Sequence, residues 1–439
     1  MINQKKRFTA CLAAICCLVL VSGCRRTDRP EVYIDDRKPD VTISLFTQGS
    51  AVTEAIDECC RDILNVSGES NLILFSDSAD FYGEEGLSYR ELLLKRMESG
   101  QADDLFLIHA EDVFEFDRKG YLYDLSELKC MDNLSQDALQ QSIYNGKVFS
   151  IPLSYACFGF IWNMDMLKQY DLDLPSNLDE FWQVCETLKQ NGIIPYGANK
   201  DFGLGVPAMC AGLGPLYQGT DTDQLLTDLA SGKTPVSTYM RGGFVFLQTM
   251  IDKGYLDAAQ ALSTLPSSDE EAAYFRDGKC AFISALCRAK AFSGDYPFEV
   301  SMTALPVLKD GYCCVVGADN RLAVNPNSKH LAEALMIVES LGRVEALDNF
   351  AAQLGKISSA RGNKALTLPQ ADQLVACVAD GGQIPNQDFS LPFNTWDTIK
   401  ELCVRLCQGE SVEELCGEYD QIQLQEIAQY QNSPSQSGH

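Results

Sequence analysis

The chain has 439 residues, which exceeds the size of one ordinary hydrophobic core and so predicts two domains. Hydrophobic residues make up 46% and charged residues 22% of the chain, the balance of a globular protein. The net charge of −26 argues against nucleic-acid binding, because phosphate contacts need patches of lysine and arginine and the sequence shows none.

The N-terminus has the pattern of a secretory signal. Basic residues 5–7 precede an apolar run over residues 8–21, which is too short for a secure membrane span. The run ends in Val-Ser-Gly before Cys24, and small residues before a cysteine resemble the lipobox of bacterial lipoproteins. This resemblance implies a lipoprotein signal peptide over residues 1–23, lipidation of Cys24, and a flexible tether over residues 24–40. An ordinary signal peptide or a short anchor helix is the alternative.

Eighteen cysteines are scattered along the chain. Four lie in the signal segment or at Cys24, and the others stand singly or as the adjacent pairs Cys59-Cys60 and Cys313-Cys314. There is no C-x-x-C pair, so neither a zinc ribbon nor a thioredoxin-like site is indicated. We interpret the cysteines beyond Cys24 as small buried hydrophobic residues, with some disulfides in an exported chain as the alternative.

Strands and helices alternate after the tether. The pattern predicts strands at residues 41–46, 71–76 and 104–109, and helices at residues 51–64 and 88–99. Such alternation with short connections favours a mostly parallel sheet covered by helices. Ligands of parallel sheets lie beyond the carboxyl ends of the strands, so the loops after these strands are candidate binding loops.

Residues 144–181 have the pattern of a chain that leaves one structural unit and begins another. A short apolar strand is predicted to stop at Pro152, an aromatic strand follows as far as Trp162, and two helices come next. Further along, residues 272–283 predict a helix that leads into a strand, and residues 317–325 predict a strand that returns to the first unit. Each unit is therefore expected to be discontinuous in sequence.

In order and spacing, these segments resemble the bacterial extracellular solute-binding proteins of ABC importers, family 1, which includes maltose-binding protein. The resemblance extends over about residues 41–428, and the order of the motifs is more specific than any one of them. The residues of the crossover that match family motifs are Gly146, Lys147, Phe149, Ile151, Pro152, Trp162, Asn163, Pro175, Glu180 and Phe181.

The resemblance implies an α/β, two-lobed periplasmic-binding-protein-like fold of type II. Each lobe would be a mainly parallel sheet flanked by helices, and a hinge would join the two lobes. The N-terminal lobe would comprise residues 41–152 plus about 313–357, and the C-terminal lobe residues 153–312 plus about 358–428. Residues 429–439 are predicted to form a polar tail.

The sequence gives little support for catalysis. Three histidines occur, and none has the H-E-x-x-H spacing of a metal site. No G-x-S-x-G motif is present, so a serine hydrolase is not indicated. Glu111 and Asp112 could form a glycosidase pair, but charges at a helix start or ligand hydrogen-bond acceptors are the simpler interpretation. We therefore expect no catalytic residue, no metal and no cofactor.

The predicted ligand-binding residues follow strand ends or lie on the crossings between the implied lobes. Sugars need a flat apolar platform together with polar groups for their hydroxyls. Trp396 stands where maltose-binding-like members carry a stacking tryptophan, with a core position as the alternative. No aromatic residue occurs at Leu286-Cys287, where the family has another one, which weakens a maltodextrin assignment. The predicted ligand-binding residues are Gln48, Ser50, Glu111, Asp112, Tyr155, Phe158, Asn199, Asp201, Asp319, Asn320 and Trp396.

The resemblance implies a lipid-anchored solute receptor on the extracytoplasmic face of the cell membrane. It would capture a mono- or oligosaccharide by hinge closure and deliver it to the permease subunits of an ABC importer, acting as a monomer. A receptor for a peptide, polyamine or metal chelate, or a sensory lipoprotein, is the first alternative. A secreted glycan-degrading enzyme is the alternative from another class, and it would need a close pair of carboxylates in the cleft.

Overall fold

The computed structural model describes residues 40–64, 71–79, 86–362 and 369–432. The predicted signal peptide, Cys24 and nearly all of the predicted tether lie outside the described residues, as does most of the predicted tail. The strands of the described residues are β1 (Val41–Gln48), β2 (Leu72–Ala79), β3 (Leu105–Ile108), β4 (Ile143–Tyr144), β5 (Lys147–Val148), β6 (Ile151–Asn163), β7 (Ile194–Gly197), β8 (Cys280–Leu286), β9 (Val300–Thr303), β10 (Leu305–Leu308), β11 (Gly311–Val324), β12 (Ile357–Ser358) and β13 (Gln383–Pro385).

Helices flank these strands along the whole described chain. The first nine are α1 (Ser50–Cys59), α2 (Tyr89–Glu98), α3 (Val113–Arg118), α4 (Gln136–Gln140), α5 (Met164–Gln169), α6 (Leu178–Gln190), α7 (Phe202–Tyr217), α8 (Thr222–Ala230) and α9 (Ser237–Asp252). They are followed by α10 (Ala258–Ser263), α11 (Asp269–Arg276), α12 (Ala289–Phe292), α13 (Leu331–Leu341), α14 (Val344–Leu354), α15 (Asp372–Ala379), α16 (Trp396–Cys407) and α17 (Val412–Gln431).

One mixed sheet contains most of the strands. Its main path runs β2-β1-β3-β11-β6-β8-β7. Outside this path, β10 and β13 pair with β11, whereas β9 and β12 pair with β6. The pairs β1–β2, β1–β3, β7–β8 and β11–β13 are parallel. The long strands β6 and β11 are antiparallel to each other, and each is also antiparallel to its next neighbour on the main path, β8 and β3. The expectation of mainly parallel sheets therefore needs correction, because two antiparallel strands join the parallel parts.

Pro152 does not end a strand, contrary to the sequence-based expectation. It is the second residue of β6, which continues through it to Asn163. Proline is tolerated at this place because a position near the start of a strand loses only one ladder bond. Its carbonyl accepts a hydrogen bond from the Ser359 hydroxyl at 2.7 Å, so the backbone here still has a partner.

The buried hydrophobic residues form two clusters, and β6 contributes to both. Tyr155 and Cys157 belong to one cluster, whereas Phe158 and Phe160 belong to the other. This division follows from strand geometry, because successive side chains point to opposite faces of a sheet. β6 therefore carries one hydrophobic face toward each cluster.

Helix boundaries follow their capping residues. The predicted helix at 88–99 is present as α2, where the Ser88 side chain caps the helix and Glu91 completes a capping box. The helix predicted at residues 51–64 is shorter in the structure, where α1 ends at Cys59. The last helix, α17, begins after Ser411 with the same kind of capping box and extends into the predicted polar tail.

The cysteines of the described residues agree with the interpretation as small hydrophobic residues. All fourteen are free thiols, and every one except Cys407 is buried. Burial raises the pKa of the Cys59 thiol to about 11. A thiol with so high a pKa stays protonated and unreactive near neutral pH. Within the same residues, no helix has the length and apolar character needed to cross a membrane.

Candidate functional site

A cleft of about 390 Å³ lies at the carboxyl ends of β1, β3, β8 and β13, beside β6 and β11. Its volume is within the range of small-molecule binding pockets. The apolar residues that line it are Val52, Ile108, Ala110, Ala156, Phe158, Phe202, Leu286, Ala318 and Trp396. The polar ones are Gln48, His109, Glu111, Asp201, Ser267, Arg288, Asp319, Asn320, Arg321, Lys356, Asn386 and Lys400.

Most of the predicted ligand-binding residues come together in this cleft. They come from positions far apart in the chain, and the fold brings them together because strand ends meet at one edge of a sheet. The predicted residues that line the cleft are Gln48, Glu111, Phe158, Asp201, Asp319, Asn320 and Trp396.

Four of the predicted residues lie outside the cleft lining. Ser50 is exposed at the start of α1. Asp112 is buried and pairs with Arg90 at 2.5 Å. The Tyr155 hydroxyl shares a hydrogen bond with Ser135 at 2.7 Å. Asn199 is fully buried, where its side chain holds the backbone before α7.

Three aromatic rings form a wall of the cleft. The ring centroid of Phe158 lies 5.4 Å from that of Trp396 and 5.3 Å from that of Phe202. These separations are those of rings in van der Waals contact. Because Trp396 is only partly buried, part of its indole surface faces the cleft. The wall therefore offers a continuous apolar surface of the kind that can pack against the C–H face of a ligand.

The other two tryptophans have structural surroundings. Trp162 is fully buried in β6, and its indole N–H donates to the Thr303 hydroxyl at 2.9 Å. Trp182 packs in α6 against Phe246, with ring centroids 5.0 Å apart. Of the three, Trp396 is the one that reaches the cleft.

Two lysines that line the cleft pair with aspartates that also line it. Lys400 Nζ lies 3.0 Å from an Asp201 carboxylate oxygen and 4.8 Å from the centroid of the Trp396 ring. Burial acts to lower the pKa of Lys400, but the surrounding carboxylates outweigh it and raise that pKa above its ordinary value. Lys356 Nζ lies 2.5 Å from Asp319 Oδ2. Burial acts to raise the pKa of Asp319, but the Lys356 ammonium outweighs it, so that pKa is lowered.

Glu111 is the carboxylate of the cleft with the most perturbed titration. Burial raises its pKa to about 7, and the nearby Asp397 adds to the effect, whereas His109 and Lys400 oppose it. His109 Nδ1 lies 3.6 Å from Glu111 Oε1, and its Nε2 contacts the Gln48 amide. Glu111 lines the cleft, whereas Asp112 does not. The two carboxylates considered as a glycosidase pair therefore do not converge on one ligand position.

The β6–β11 ladder is interrupted where it borders the cleft. Asn320 has a φ of 47°, in the left-handed region, and pairing resumes on either side of it, at Asp319–Ser154 and Arg321–Pro152. The Asn320 side chain donates to the Ser154 hydroxyl at 2.8 Å, which stabilises this conformation. Backbone strain of this kind is concentrated at functional sites.

Arg321 anchors β11 to the end of α4. Its side chain is buried, with 2% exposed, and it donates to the carbonyls of Ala318 at 2.9 Å and Gln141 at 2.7 Å and to the Ser142 hydroxyl at 3.2 Å. Burial lowers the pKa of Arg321 to about 10, which still leaves the guanidinium charged at neutral pH. It therefore places a fixed positive charge at the base of the cleft.

Sequence reasoning missed several residues of the cleft. Lys400 lies four residues after Trp396 on α16, so helical spacing could have placed the two on one face. Lys356 follows Gly355, which ends α14 with a φ of 62°, and nothing local connects it with Asp319. Asn386 follows the three-residue β13, which has no recognisable strand pattern. Within the ranges that the structure describes, no group of His, Cys, Asp and Glu is arranged to hold a metal ion.

Comparison with known families identifies the protein's class. The profile of the family described as bacterial extracellular solute-binding protein matches residues 82–350. This match covers more than half of the chain and includes the crossover through β6 and most of the cleft loops. The expectation that the chain is a binding protein, and not an enzyme, agrees with this family.

Curated relatives include sugar-binding proteins. The multiple sugar-binding protein of Streptococcus mutans is 22% identical over 351 residues, which cover 76% of this chain and 77% of the relative. The melibiose/raffinose/stachyose-binding protein MelE of Bacillus subtilis is 27% identical over 116 residues, which cover 25% of this chain and 26% of the relative.

Solved structures share the fold. The structure of RafE in complex with raffinose has a TM-score of 0.69 at 16% identity, and the alignment covers 88% of this chain and all of RafE. The GacH receptor of Streptomyces glaucescens, solved unliganded and with acarbose, has a TM-score of 0.69 at 14% identity, with 90% of this chain and all of the receptor covered. At these identities the likeness establishes the mixed α/β fold. Together with the family profile, it shows that the chain belongs to the bacterial extracellular solute-binding proteins.

Proposed function

We propose that the chain captures an oligosaccharide in the cleft and delivers it to the permease of an ABC importer. The observation that carries this proposal is the wall of Phe158, Phe202 and Trp396 in a cleft that polar groups also line. An aromatic surface matches the C–H face of a sugar ring, and carboxylates, amides and cations match its hydroxyls. Relatives that bind raffinose, stachyose or acarbose support the same class of ligand.

The charges of the cleft argue against a polyamine ligand. Lys356 is matched by Asp319 and Lys400 by Asp201, so these groups already neutralise each other without a ligand. The lining also contains Glu111, Arg288 and Arg321, so its carboxylates do not outnumber its cations, as a polyamine receptor would require. Paired charges of this kind can still exchange hydrogen bonds with hydroxyls at little electrostatic cost.

Hinge closure is the proposed mechanism. In this proposal, residues 41–152 and about 313–357 form one lobe, residues 153–312 and about 358–428 form the other, and β6, β11 and β12 connect them. A ligand that contacts both lobes binds the closed form better than the open one, so binding shifts the population toward closure. The permease would then recognise the closed form.

Attachment to the membrane through a lipid on Cys24 completes the proposal. The lipobox-like sequence supports cleavage before Cys24, and the polar residues that follow would hold the receptor away from the lipid surface. The receptor would act on the extracytoplasmic face as a monomer beside its permease.

Thermal unfolding with a panel of solutes tests this function. The panel would contain raffinose, stachyose, chitin and xylan oligosaccharides, together with short peptides and polyamines. We expect at least one oligosaccharide to raise the unfolding temperature and the peptides and polyamines to leave it unchanged. Stabilisation by a peptide or polyamine alone would refute the carbohydrate assignment, and product formed from any glycan would refute the receptor function.

A further inference from the structure

Asn386 occupies a position that favours ligand contact. It directly follows β13, and β13 runs parallel to β11 with Pro385 opposite Val316. Its side chain lines the cleft at the carboxyl end of this parallel pair, where α/β folds bind their ligands.

The amide oxygen of Asn386 lacks a partner. Its Oδ1 is buried and accepts no hydrogen bond from any residue that the structure describes. Buried side-chain oxygens almost always have a hydrogen-bond partner, so an unpaired one beside a binding cleft is a candidate acceptor for a ligand donor.

Gly317 makes room for this amide. A Cβ added at Gly317 would lie 2.3 Å from Asn386 Oδ1 and 2.6 Å from its Cγ, distances that real Cβ atoms do not show. Gly317 has no left-handed backbone conformation, so its backbone does not require glycine. A side chain at residue 317 would therefore displace the Asn386 amide from the position it has in this structure.

A network of hydrogen bonds holds Asn386 in register with Trp396. The Thr395 hydroxyl donates to the Asn386 carbonyl at 2.9 Å. Gln387 is 1% exposed, accepts from the Thr395 backbone N–H at 2.8 Å, and donates to the Phe393 carbonyl at 3.1 Å. These bonds tie the beginning of the loop 386–395 to the start of α16, so the amide and the indole are presented to the cleft together.

We propose that Asn386 determines ligand specificity, with its Oδ1 accepting a hydrogen bond from a hydroxyl of the sugar that packs against Trp396. This inference rests on the proposed function and adds a residue and a bond to it. Gly317 and Gln387 act as positioning residues, the first by leaving space and the second by fixing the loop. The neutral acceptor selects a ligand with a hydroxyl at this place over one that lacks it.

Calorimetric titration tests the proposal with the oligosaccharide of the panel that stabilises the wild-type chain most. We expect Asn386→Ala to weaken the affinity about tenfold, because a ligand hydroxyl buried without a partner is costly. Gln383→Ala is the matched control, since Gln383 Oε1 is likewise buried without a partner among the described residues but lies outside the cleft lining. This control should bind with wild-type affinity.

Monodeoxy analogues of the same sugar separate a direct bond from a structural effect. In the wild-type chain, one analogue should bind about tenfold more weakly than the parent sugar. In Asn386→Ala, that analogue and the parent sugar should bind with equal affinity. If Asn386→Ala keeps wild-type affinity, or if every analogue loses the same factor in both proteins, the proposal is wrong while the receptor function stands. If the wild-type chain binds no oligosaccharide, the proposed function fails and this inference fails with it.

Discussion

At the scale of single residues, burial separates groups that face the cleft from groups that hold the fold. Trp162 is fully enclosed and hydrogen-bonded, whereas Trp396 is partly exposed beside Phe158 and Lys400. A tryptophan that packed only in the core would be fully buried, as Trp162 is. The arrangement makes Trp396 the residue whose truncation should affect binding more than folding.

Trp396→Ala should weaken oligosaccharide affinity by roughly 10- to 100-fold, because the ligand loses the apolar area that the indole covers. Calorimetric titration measures this change, and Trp396→Phe is the control, since it keeps an aromatic platform of smaller area. We expect the phenylalanine variant to retain most of the affinity. An alanine variant that binds as well as the wild-type chain would show that Trp396 does not stack on the sugar.

Glu271 provides a test of pH dependence. Its carboxylate is 7% exposed, and it accepts hydrogen bonds from Asn199 Nδ2 at 2.6 Å and from the Ser267 backbone N–H at 2.7 Å. Burial raises its pKa from 4.5 to about 7, although these hydrogen bonds oppose the rise. Between these values the folded chain binds more protons than the unfolded chain. The free energy of unfolding contributed by Glu271 is therefore highest below pH 4.5, and it falls as the pH rises to about 7.

Glu271→Gln should remove this dependence because glutamine does not titrate. Urea unfolding at pH 5 and pH 8 measures the loss of stability over the window, which should be on the order of 1–3 kcal/mol larger for the wild-type chain than for the variant. Comparing the two proteins cancels the contribution of other groups that titrate in the same range. Equal losses in both would show that the pKa of Glu271 is not raised in the folded chain.

At the scale of elements, β6 and β11 organise the site. They pair antiparallel over a long register, and the pairing is interrupted at Asn320, beside the cleft. The early strands and α2 could be predicted because their alternation and capping residues are local signals. The continuity of β6 through Pro152 could not, because it depends on pairing with residues more than 150 positions away.

Asn320→Ala should destabilise the chain by about 1 kcal/mol more than Asn320→Gly. Both substitutions remove the hydrogen bond to Ser154, but only glycine adopts a φ of 47° without strain. Urea unfolding of the two variants without ligand measures the difference. If the alanine variant is the more stable of the two, the left-handed conformation at residue 320 is not maintained in solution.

At the scale of the whole molecule, the order of family motifs was enough to predict the class of protein. The match of the family profile over residues 82–350 confirms that prediction. Some cleft residues could also be predicted from the sequence, such as Trp396, which stands at a family motif position, and Gln48, which lies at a strand end. Lys356 and Asn386 could not be predicted, because their place in the cleft results from long-range strand pairing that leaves no local sequence pattern.

Hinge closure predicts a change in overall dimensions on binding. Small-angle X-ray scattering of the chain should give a smaller radius of gyration with saturating oligosaccharide than without it, because the ligand stabilises the closed form. The Trp396→Ala chain at the same sugar concentration is the control, since its weaker affinity should leave a smaller fraction of it liganded and give a smaller change in radius. An unchanged radius with saturated wild-type chain would mean that binding occurs without closure.

Calorimetric titration of the wild-type chain with each oligosaccharide of the panel, followed by chromatography of the sugar, tests the receptor function most directly. We expect saturable binding of at least one oligosaccharide at one site per chain, with the sugar recovered intact. Absence of binding to every sugar, or recovery of cleaved sugar, would contradict the receptor function.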